Sequence, residues 1–389
     1  MRSQATIGIV GAGIGGLALA SMLVARGFKV RVFEQAKQFS RLGAGIQMAP
    51  NPIAVLRGIG LEARLREVAF APVSLLNREH DTGTVTNEVI AGPAFEARYG
   101  VPYLAMHRAD LHRLLAGLVP DGVIEFDRKL VAVDHGAARI GLRFTDGGTA
   151  TVDALIGADG VHSVVRTSFL GEEQPRYSGR IAYRAVFPAS LLGDDQINLS
   201  RTKWWGPDRH IVIYYITAAR DEIYFVTSQP EDATWLTPES WSTRGDMAAL
   251  RQDFAEFHPE VRKVLNACPD AFKWALMERD PFSHWTEGRV ALLGDACHPM
   301  PPYMAQGAAM ALEDAAILAR CLDGVEPEGF ADAFRLYEAI RKPRATQIQQ
   351  RSRTNNWLRH QTSTEWVYGY DAWNVPLQTA PDEAQRSAS

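Results

Sequence analysis

The strongest constraint on the fold is a glycine-rich turn close to the N-terminus. The apolar segment Ile7–Val10 leads into the sequence GAGIGG and a segment rich in alanine and leucine, and the next apolar segment ends at Glu34, 18 residues after the last glycine. This order predicts a strand, a tight turn, a helix and a second strand ending in an acid, which is the unit that binds dinucleotides. The turn glycines are Gly11, Gly13, Gly15 and Gly16.

Each part of this unit has a predicted role in holding a dinucleotide. Gly11 permits the tight turn, Gly13 lets a pyrophosphate approach the backbone, and Gly16 lets the helix pack closely on the strand. The free N–H groups of the helix N-terminus face the anion. Glu34 is expected to accept hydrogen bonds from a ribose, and Gln35 follows it directly. These features alone do not distinguish FAD from NAD.

Two later turns carry an aspartate directly after an apolar strand. The first contains Asp159-Gly160, and the second contains Gly294-Asp295 and is followed by two prolines and a segment of small residues. Both aspartates would lie at the ends of strands, where doubly wound folds bind their ligands. One such aspartate can be a helix cap. Two of them, together with the N-terminal motif, favour a flavin dinucleotide.

With these three motifs the chain resembles the class A flavin monooxygenases, the single-component aromatic hydroxylases, over nearly its whole length. The resemblance implies FAD as cofactor, with Asp295 at its ribityl chain and Arg108, in the segment MHRADLHRLL, at the flavin. It further implies an α/β fold: a Rossmann-like FAD-binding domain of the para-hydroxybenzoate hydroxylase type, an inserted β-sheet substrate domain and C-terminal helices. The other residues expected to contact FAD are Gly11, Gly13, Gly15, Gly16, Glu34, Gln35, Leu130, Asp159, Gly294 and Gly307.

The predicted domain organisation is discontinuous, because segments of the substrate domain interrupt the FAD-binding domain. The FAD-binding domain takes residues 1–72, 101–176 and 282–322; the substrate domain takes 73–100 and 177–281; residues 323–378 form a helical region and 379–389 a disordered tail.

The segment from Arg209 to Pro230 predicts a β-hairpin, and the family resemblance implies that its sheet covers the substrate. Alternation along a strand places His210 and Tyr214 on one face, about 13 Å apart at roughly 3.3 Å per residue. On the residues alone, a hydrogen-bonded sheet histidine and a half-buried tyrosine explain this pattern as well. A closer resemblance, to the members of the family that act on 6-hydroxynicotinate, implies that His210 and Tyr214 contact the substrate.

Three positions depart from that closer pattern. Gln47 and Tyr303 stand where those enzymes carry histidine, and Arg201 stands where they carry cysteine. Glutamine is not a general base near neutral pH, whereas Arg201 is suited to binding a carboxylate. Pro301 is expected to hold the backbone beside the flavin ring.

The resemblance implies a reaction in which NADH or NADPH reduces FAD and O2 then supplies the hydroxyl group. The expected substrate is a small aromatic or pyridine carboxylate that loses CO2 if the carbon bearing the carboxylate is attacked. Three alternative substrates stay open: salicylate, another hydroxypyridine carboxylate and an aminobenzoate. A flavin-binding protein that does not hydroxylate, and the preference between NADH and NADPH, stay open as well.

Composition sets the remaining expectations. A net charge of −4 with 22% charged residues gives no indication of nucleic acid binding. Three widely spaced cysteines argue against a disulfide framework and for a reducing, cytoplasmic location. Neither a membrane span nor a signal peptide is expected, and we predict no metal site and a monomer or homodimer. A set of late basic residues is predicted to be a solvated face or a dimer rim: Arg341, Lys342, Arg344, Arg351, Arg353 and Arg359.

Overall fold

The computed structural model of the chain describes residues 5–40, 44–136, 139–232 and 243–378. The segment 379–389, predicted to be a disordered tail, lies outside the described residues. The strands, in chain order, are β1 Thr6–Val10, β2 Lys29–Phe33, β3 Gly45–Met48, β4 Ser74–Glu79, β5 Val85–Ile90, β6 Leu104–His107, β7 Ile124–Glu125, β8 Leu130–Asp134, β9 Ile140–Phe144, β10 Thr149–Val152, β11 Ala154–Gly157, β12 Arg176–Pro188, β13 Arg201–Trp205, β14 His210–Tyr215, β15 Glu222–Pro230, β16 Phe272–Glu278, β17 Thr286–Glu287 and β18 Val290–Leu292. The helices are α1 Ile14–Ala25, α2 Pro50–Gly58, α3 Glu62–Val68, α4 Pro93–Tyr99, α5 Arg108–Ala116, α6 Val164–Leu170, α7 Met247–Asp253, α8 Pro259–Ala267, α9 Gly307–Cys321, α10 Phe330–Arg353 and α11 Glu365–Tyr368.

A largely parallel sheet forms the first layer of the molecule. In the described part of the chain its strand order is β17-β18-β11-β1-β2-β7, and only β17 runs antiparallel to its neighbour. Helix α1 is buried along most of its length because it packs against α9 as well as the sheet. Because β1, β11 and β18 are parallel, their carboxyl ends meet at one edge of the sheet, where the three motif turns begin. The predicted α/β fold is confirmed.

A second, mainly antiparallel sheet lies between these strands in sequence. Its order within the described residues is β16-β12-β15-β14-β13-β4-β5, with β13 and β4 parallel. The predicted hairpin is present, because β14 pairs with β15 in the antiparallel register that sets His210 opposite Ser228. Every residue of β14 is buried. This strand is therefore covered on both faces, as expected for the centre of a packed sheet.

The C-terminal helices close the molecule behind the parallel sheet. Helix α10 packs on α9, and this contact corrects the prediction for two of the basic residues. Arg341 is completely buried, and the Arg344 side chain is only 10% exposed. Both bind Glu313 of α9, so they stabilise the contact between the helices and do not form a solvated face. Across the described ranges, no helix has the length and apolar character required to span a membrane.

Candidate active site

A cavity of about 700 Å³ opens at the edge of the parallel sheet where the motif turns begin. Its polar wall contains the Glu34 carboxylate at the end of β2 and the Arg108 guanidinium at the start of α5. Backbone amides hold Glu34 in place, since Ala12 N and Ala36 N each donate to it at 2.8 Å. Predicted cofactor residues that line the cavity are Gly11, Glu34, Gln35, Arg108, Leu130 and Asp159.

The glycine turn has the geometry that a bound pyrophosphate requires. Gly11 has a φ of +99°, and a Cβ on Gly16 would lie 2.1 Å from the carbonyl oxygen of Gly11. By contrast, a Cβ on Gly13 would meet no atom within 4 Å. Helix α1 begins directly after Gly13, so the open space lies at a helix N-terminus, which attracts anions. The residues present fit an adenine dinucleotide.

We expect Gly16→Ala to weaken FAD binding about tenfold, or ~1.4 kcal/mol. The added methyl group forces the start of α1 away from the turn, and overpacking of this kind costs about 1–3 kcal/mol. Gly117→Ala is the matched control, because a Cβ there meets its nearest atom at 3.5 Å. The dissociation constant of FAD is measured by flavin fluorescence on the apoprotein. Equal affinities of the two variants would contradict the assigned role of the turn.

The two later aspartates lie in different surroundings. Asp159 lines the cofactor cavity and also caps helix α6, since its Oδ2 accepts from Val164 N at 2.8 Å and from Val165 N at 3.1 Å. Asp295 is exposed beside Gly307, whose Cβ would lie 3.9 Å from Asp295 Oδ1. Burial among protein atoms raises the pKa of the Asp159 carboxyl group. Asp159 is therefore both a cap and a wall of the cavity.

A buried network behind the second turn was missed by the sequence analysis. Asp314 of α9 accepts from the backbone N–H of Gly294 at 3.1 Å, from His298 Nε2 at 2.5 Å and from Arg341 Nε at 2.8 Å. The network fixes the turn that carries Asp295 to helices α9 and α10. Adjacent acids within an apolar helix, as in ALEDAA, are the signal that would have indicated it.

The group of Cys297, His298 and Asp314 contains potential metal ligands. Their ligand atoms lie within 4.8 Å of one another, and all three residues are buried. However, both oxygens of Asp314 already accept hydrogen bonds, one from His298 and the other from Arg341. The arrangement is therefore a hydrogen-bonded network in which the Arg341 guanidinium is the cation.

A second cavity, of about 280 Å³, adjoins the cofactor cavity and shares Arg108 and Arg184 with it. The face of the antiparallel sheet that carries Tyr214 and Tyr224 forms one wall. The loop before α9, with Pro301, and the helix N-terminus at Gly307 form another. The wall is mainly apolar. Its size and position, between the sheet and the cofactor cavity, suit one small aromatic ring.

Gln47 joins this cavity to a set of buried polar side chains. Its Oε1 accepts from the Tyr103 hydroxyl at 2.6 Å and from Arg201 Nε at 3.1 Å. Burial, with a smaller contribution from Tyr224, raises the pKa of Tyr214 well above its ordinary value, and a side-chain hydrogen bond with Gln47 opposes this only partly. The Tyr214 hydroxyl therefore stays protonated near neutral pH and can donate a hydrogen bond.

Arg201 and His210 lie on the same face of the sheet as Tyr214, and Tyr303 lies in the loop before α9, but none of the three lines this cavity. Arg201 is 5% exposed, and its Nη1 is buried without a hydrogen-bond partner. The rings of His210 and Tyr303 meet edge to face with centroids 5.8 Å apart, and the Tyr303 hydroxyl lies 3.1 Å from Ser228 Oγ. Burial and then the charges of nearby cations lower the pKa of His210, so its ring is neutral.

Several residues that bound the site were not predicted from sequence. Tyr224 lies beside Tyr214 with ring centroids 5.3 Å apart, and Arg184 borders both cavities. The alternation of β15, which pairs with β14, could have identified Tyr224. Tyr103 lies far from the hairpin in sequence, and nothing in its local sequence indicates a place in the site.

Comparison with known proteins gives concordant results. Residues 4–352 match the model of the FAD binding domain family. The chain is 42% identical to a 6-hydroxynicotinate 3-monooxygenase of Bordetella bronchiseptica, over 97% of this chain and 98% of the relative. It is 39% identical to a 3-amino-4-hydroxybenzoate 2-monooxygenase of Streptomyces cremeus, covering 89% and 86%. The solved structure of Klebsiella pneumoniae HpxO with FAD and uric acid is similar with a TM-score of 0.81 at 26% identity, covering 100% of this chain and 96% of the other.

Proposed function

Since this chain belongs to the FAD-dependent aromatic monooxygenases, we propose that its substrate is a hydroxypyridine carboxylate such as 6-hydroxynicotinate, which it hydroxylates with loss of CO2. Its cofactor is FAD, and NADH or NADPH is its reductant. The single observation that carries the proposal is the second cavity, where Tyr214 and Gln47 face a space for one ring and Arg201 reaches Gln47. The relatives at 42% and 43% identity that bear the name of this activity support it.

FAD, when bound, supplies the activated oxygen, and the residues of the chain prepare the ring for it. The Tyr214 hydroxyl donates a hydrogen bond to the hydroxyl oxygen of the substrate and thereby favours the anionic form of that oxygen. The negative charge of the anionic form raises electron density at the ring carbons ortho and para to the oxygen. Gln47 holds the Tyr214 hydroxyl in position, and Tyr103 and Arg201 in turn hold Gln47.

The carboxylate of the substrate requires a cation. Arg201 offers its unpartnered Nη1 to the substrate carboxylate, which fixes the ring with its reacting carbon toward the cofactor. The rings of His210 and Tyr303 pack on each other on the neighbouring part of the sheet face. Pro301 restricts the backbone on the cofactor side of the ring, and helix α9 directs its positive end toward the same point.

Aerobic turnover tests the proposal. The FAD-loaded protein is given NADH and 6-hydroxynicotinate, and NADH oxidation, ring products and CO2 are measured together. Coupled formation of 2,5-dihydroxypyridine and CO2 is the expected result. Oxidation of NADH that yields only hydrogen peroxide would reject this substrate. The same measurement on salicylate and on 3-amino-4-hydroxybenzoate would then identify a benzene carboxylate, the class to which the 39% identical relative points.

A further inference from the structure

Strand β13 carries two buried cations on the face that looks toward the site. Arg201 is 5% exposed and Lys203 only 1%. Because side chains alternate along a strand, these two residues and Trp205 lie on one face. The register places Lys203 opposite Val212 and Trp205 opposite His210 on β14. Tyr214 lies on the same face of β14, so the two cations belong to the sheet face that bounds the substrate cavity.

The electrostatic surroundings of Lys203 contain other cations. Its ammonium lies 3.7 Å from the centroid of the Trp205 ring. The charged groups that act on it are Arg201 on its own strand, Arg180 on β12 and Arg359 in the segment after α10. Burial and these three charges hold the pKa of Lys203 well below its ordinary value. Among the described residues, no carboxylate forms a salt bridge with Lys203 or Arg201.

An arrangement of this kind costs folding free energy. A buried charge without a counter-ion is destabilising by several kcal/mol, and Arg201 also leaves Nη1 without a hydrogen-bond acceptor. Two buried cations at alternate positions of one strand are therefore explained best by an anion that binds there. Arg201 Nε contacts Gln47, which lines the substrate cavity, so that anion would adjoin the ring site.

We propose that Arg201 and Lys203 together form an anion subsite for the carboxylate of the ring substrate, and that Lys203 is the residue that selects anionic rings over neutral ones. This inference rests on the proposed function and deepens it. Arg201 contacts the carboxylate through Nη1, and Lys203 adds the second positive charge behind it. The chemical class selected is a planar ring with one carboxylate, and the corresponding carboxamide is rejected because it leaves both cations uncompensated.

The test is equilibrium binding to the FAD-loaded full-length protein, followed by the change in flavin absorbance, which requires no turnover. The dissociation constants of 6-hydroxynicotinate and its carboxamide are compared. In the unmodified protein we expect the acid to bind at least 100-fold more tightly. In Lys203→Met we expect this ratio to fall at least tenfold, with the affinity for the carboxamide unchanged. The control is Lys273→Met, which removes a lysine that pairs with Glu231 in the same sheet, and it should keep the full ratio.

Thermal stability separates a binding role from a structural one. Lys203→Met removes a buried charge that has no counter-ion and keeps the aliphatic stem, so the Tm of the substrate-free protein should stay the same or rise. A lowered Tm with an unchanged ratio would mean that Lys203 is structural and would overturn the proposal. Stronger carboxamide binding in the presence of sodium acetate would assign the subsite to a free anion, and this too would overturn it.

The two proposals fail in different ways. If 6-hydroxynicotinate binds with a ratio that depends on Lys203 but is not hydroxylated, the subsite stands and the proposed reaction is rejected. If hydroxylation proceeds while Lys203→Met keeps the full ratio, the reaction stands and the subsite is rejected. If the acid and the carboxamide bind the unmodified protein equally, the subsite is rejected whatever the turnover.

Discussion

Tyr214→Phe should lower the rate of ring hydroxylation by about 100-fold or more and leave the FAD content unchanged. The substitution keeps the aromatic ring and removes only the hydroxyl, which is held protonated by burial and directed by Gln47. Removing a positioned proton donor or acceptor commonly costs about 10²–10⁴ in rate. Because Tyr214 lines the substrate cavity and not the larger cofactor cavity, cofactor binding should not change.

The measurement is steady-state product formation together with the ratio of flavin to protein. Tyr215→Phe is the control, since Tyr215 lies on the other face of the same strand, where its hydroxyl accepts from Ile197 N at 3.3 Å; its activity should stay within about threefold of the unmodified protein. A Tyr214→Phe protein with an unchanged kcat and a raised KM would show that the hydroxyl only binds the substrate. A loss of FAD content in proportion to the loss of activity would contradict a role of Tyr214 in the reaction.

The sequence predicted the parts of the site that depend on local order. The turn at Gly11–Gly16, the acid at Glu34 and the start of helix α9 at Gly307 follow from strand, turn and helix signals within a few residues of one another. The face shared by His210 and Tyr214 follows from strand alternation alone. These features need no knowledge of how distant segments pack.

The residues that sequence analysis missed are brought together by tertiary packing. Tyr103 directly precedes strand β6 and contacts the predicted residue Gln47 of β3, and the pairing of these two short strands is not evident from either segment. Arg341 is predicted from sequence to lie on a solvated face or a dimer rim, because composition does not tell which charged side chains a second layer will cover. Burial of a charge is a property of the assembled layers, so it appears only in the structure.

The burial of Arg341 gives the second large expected effect: Arg341→Met should destabilise the protein by about 3 kcal/mol, because breaking a buried ion pair leaves unpaired charges. Arg341 Nη1 binds Glu313 Oε2 at 2.7 Å and its Nε binds Asp314 Oδ1 at 2.8 Å, and all three side chains are fully buried. Asp314 also holds the N–H of Gly294, so FAD affinity should fall together with stability.

The pH dependence of this loss identifies its cause. Although burial opposes it, the charges of His298 and Arg341 lower the pKa of Asp314 in the folded protein. A lowered carboxyl pKa contributes stability above the pKa of the unfolded chain, and this contribution is lost as the pH falls through the folded value. The gap in Tm between the unmodified protein and Arg341→Met should therefore be widest near neutral pH and narrow on acidification.

Arg335→Met, which breaks an exposed pair with Asp332 on the same helix, should leave Tm nearly unchanged at every pH. A gap that stays constant with pH would mean that Arg341 stabilises the helix contact by packing and not by its charge.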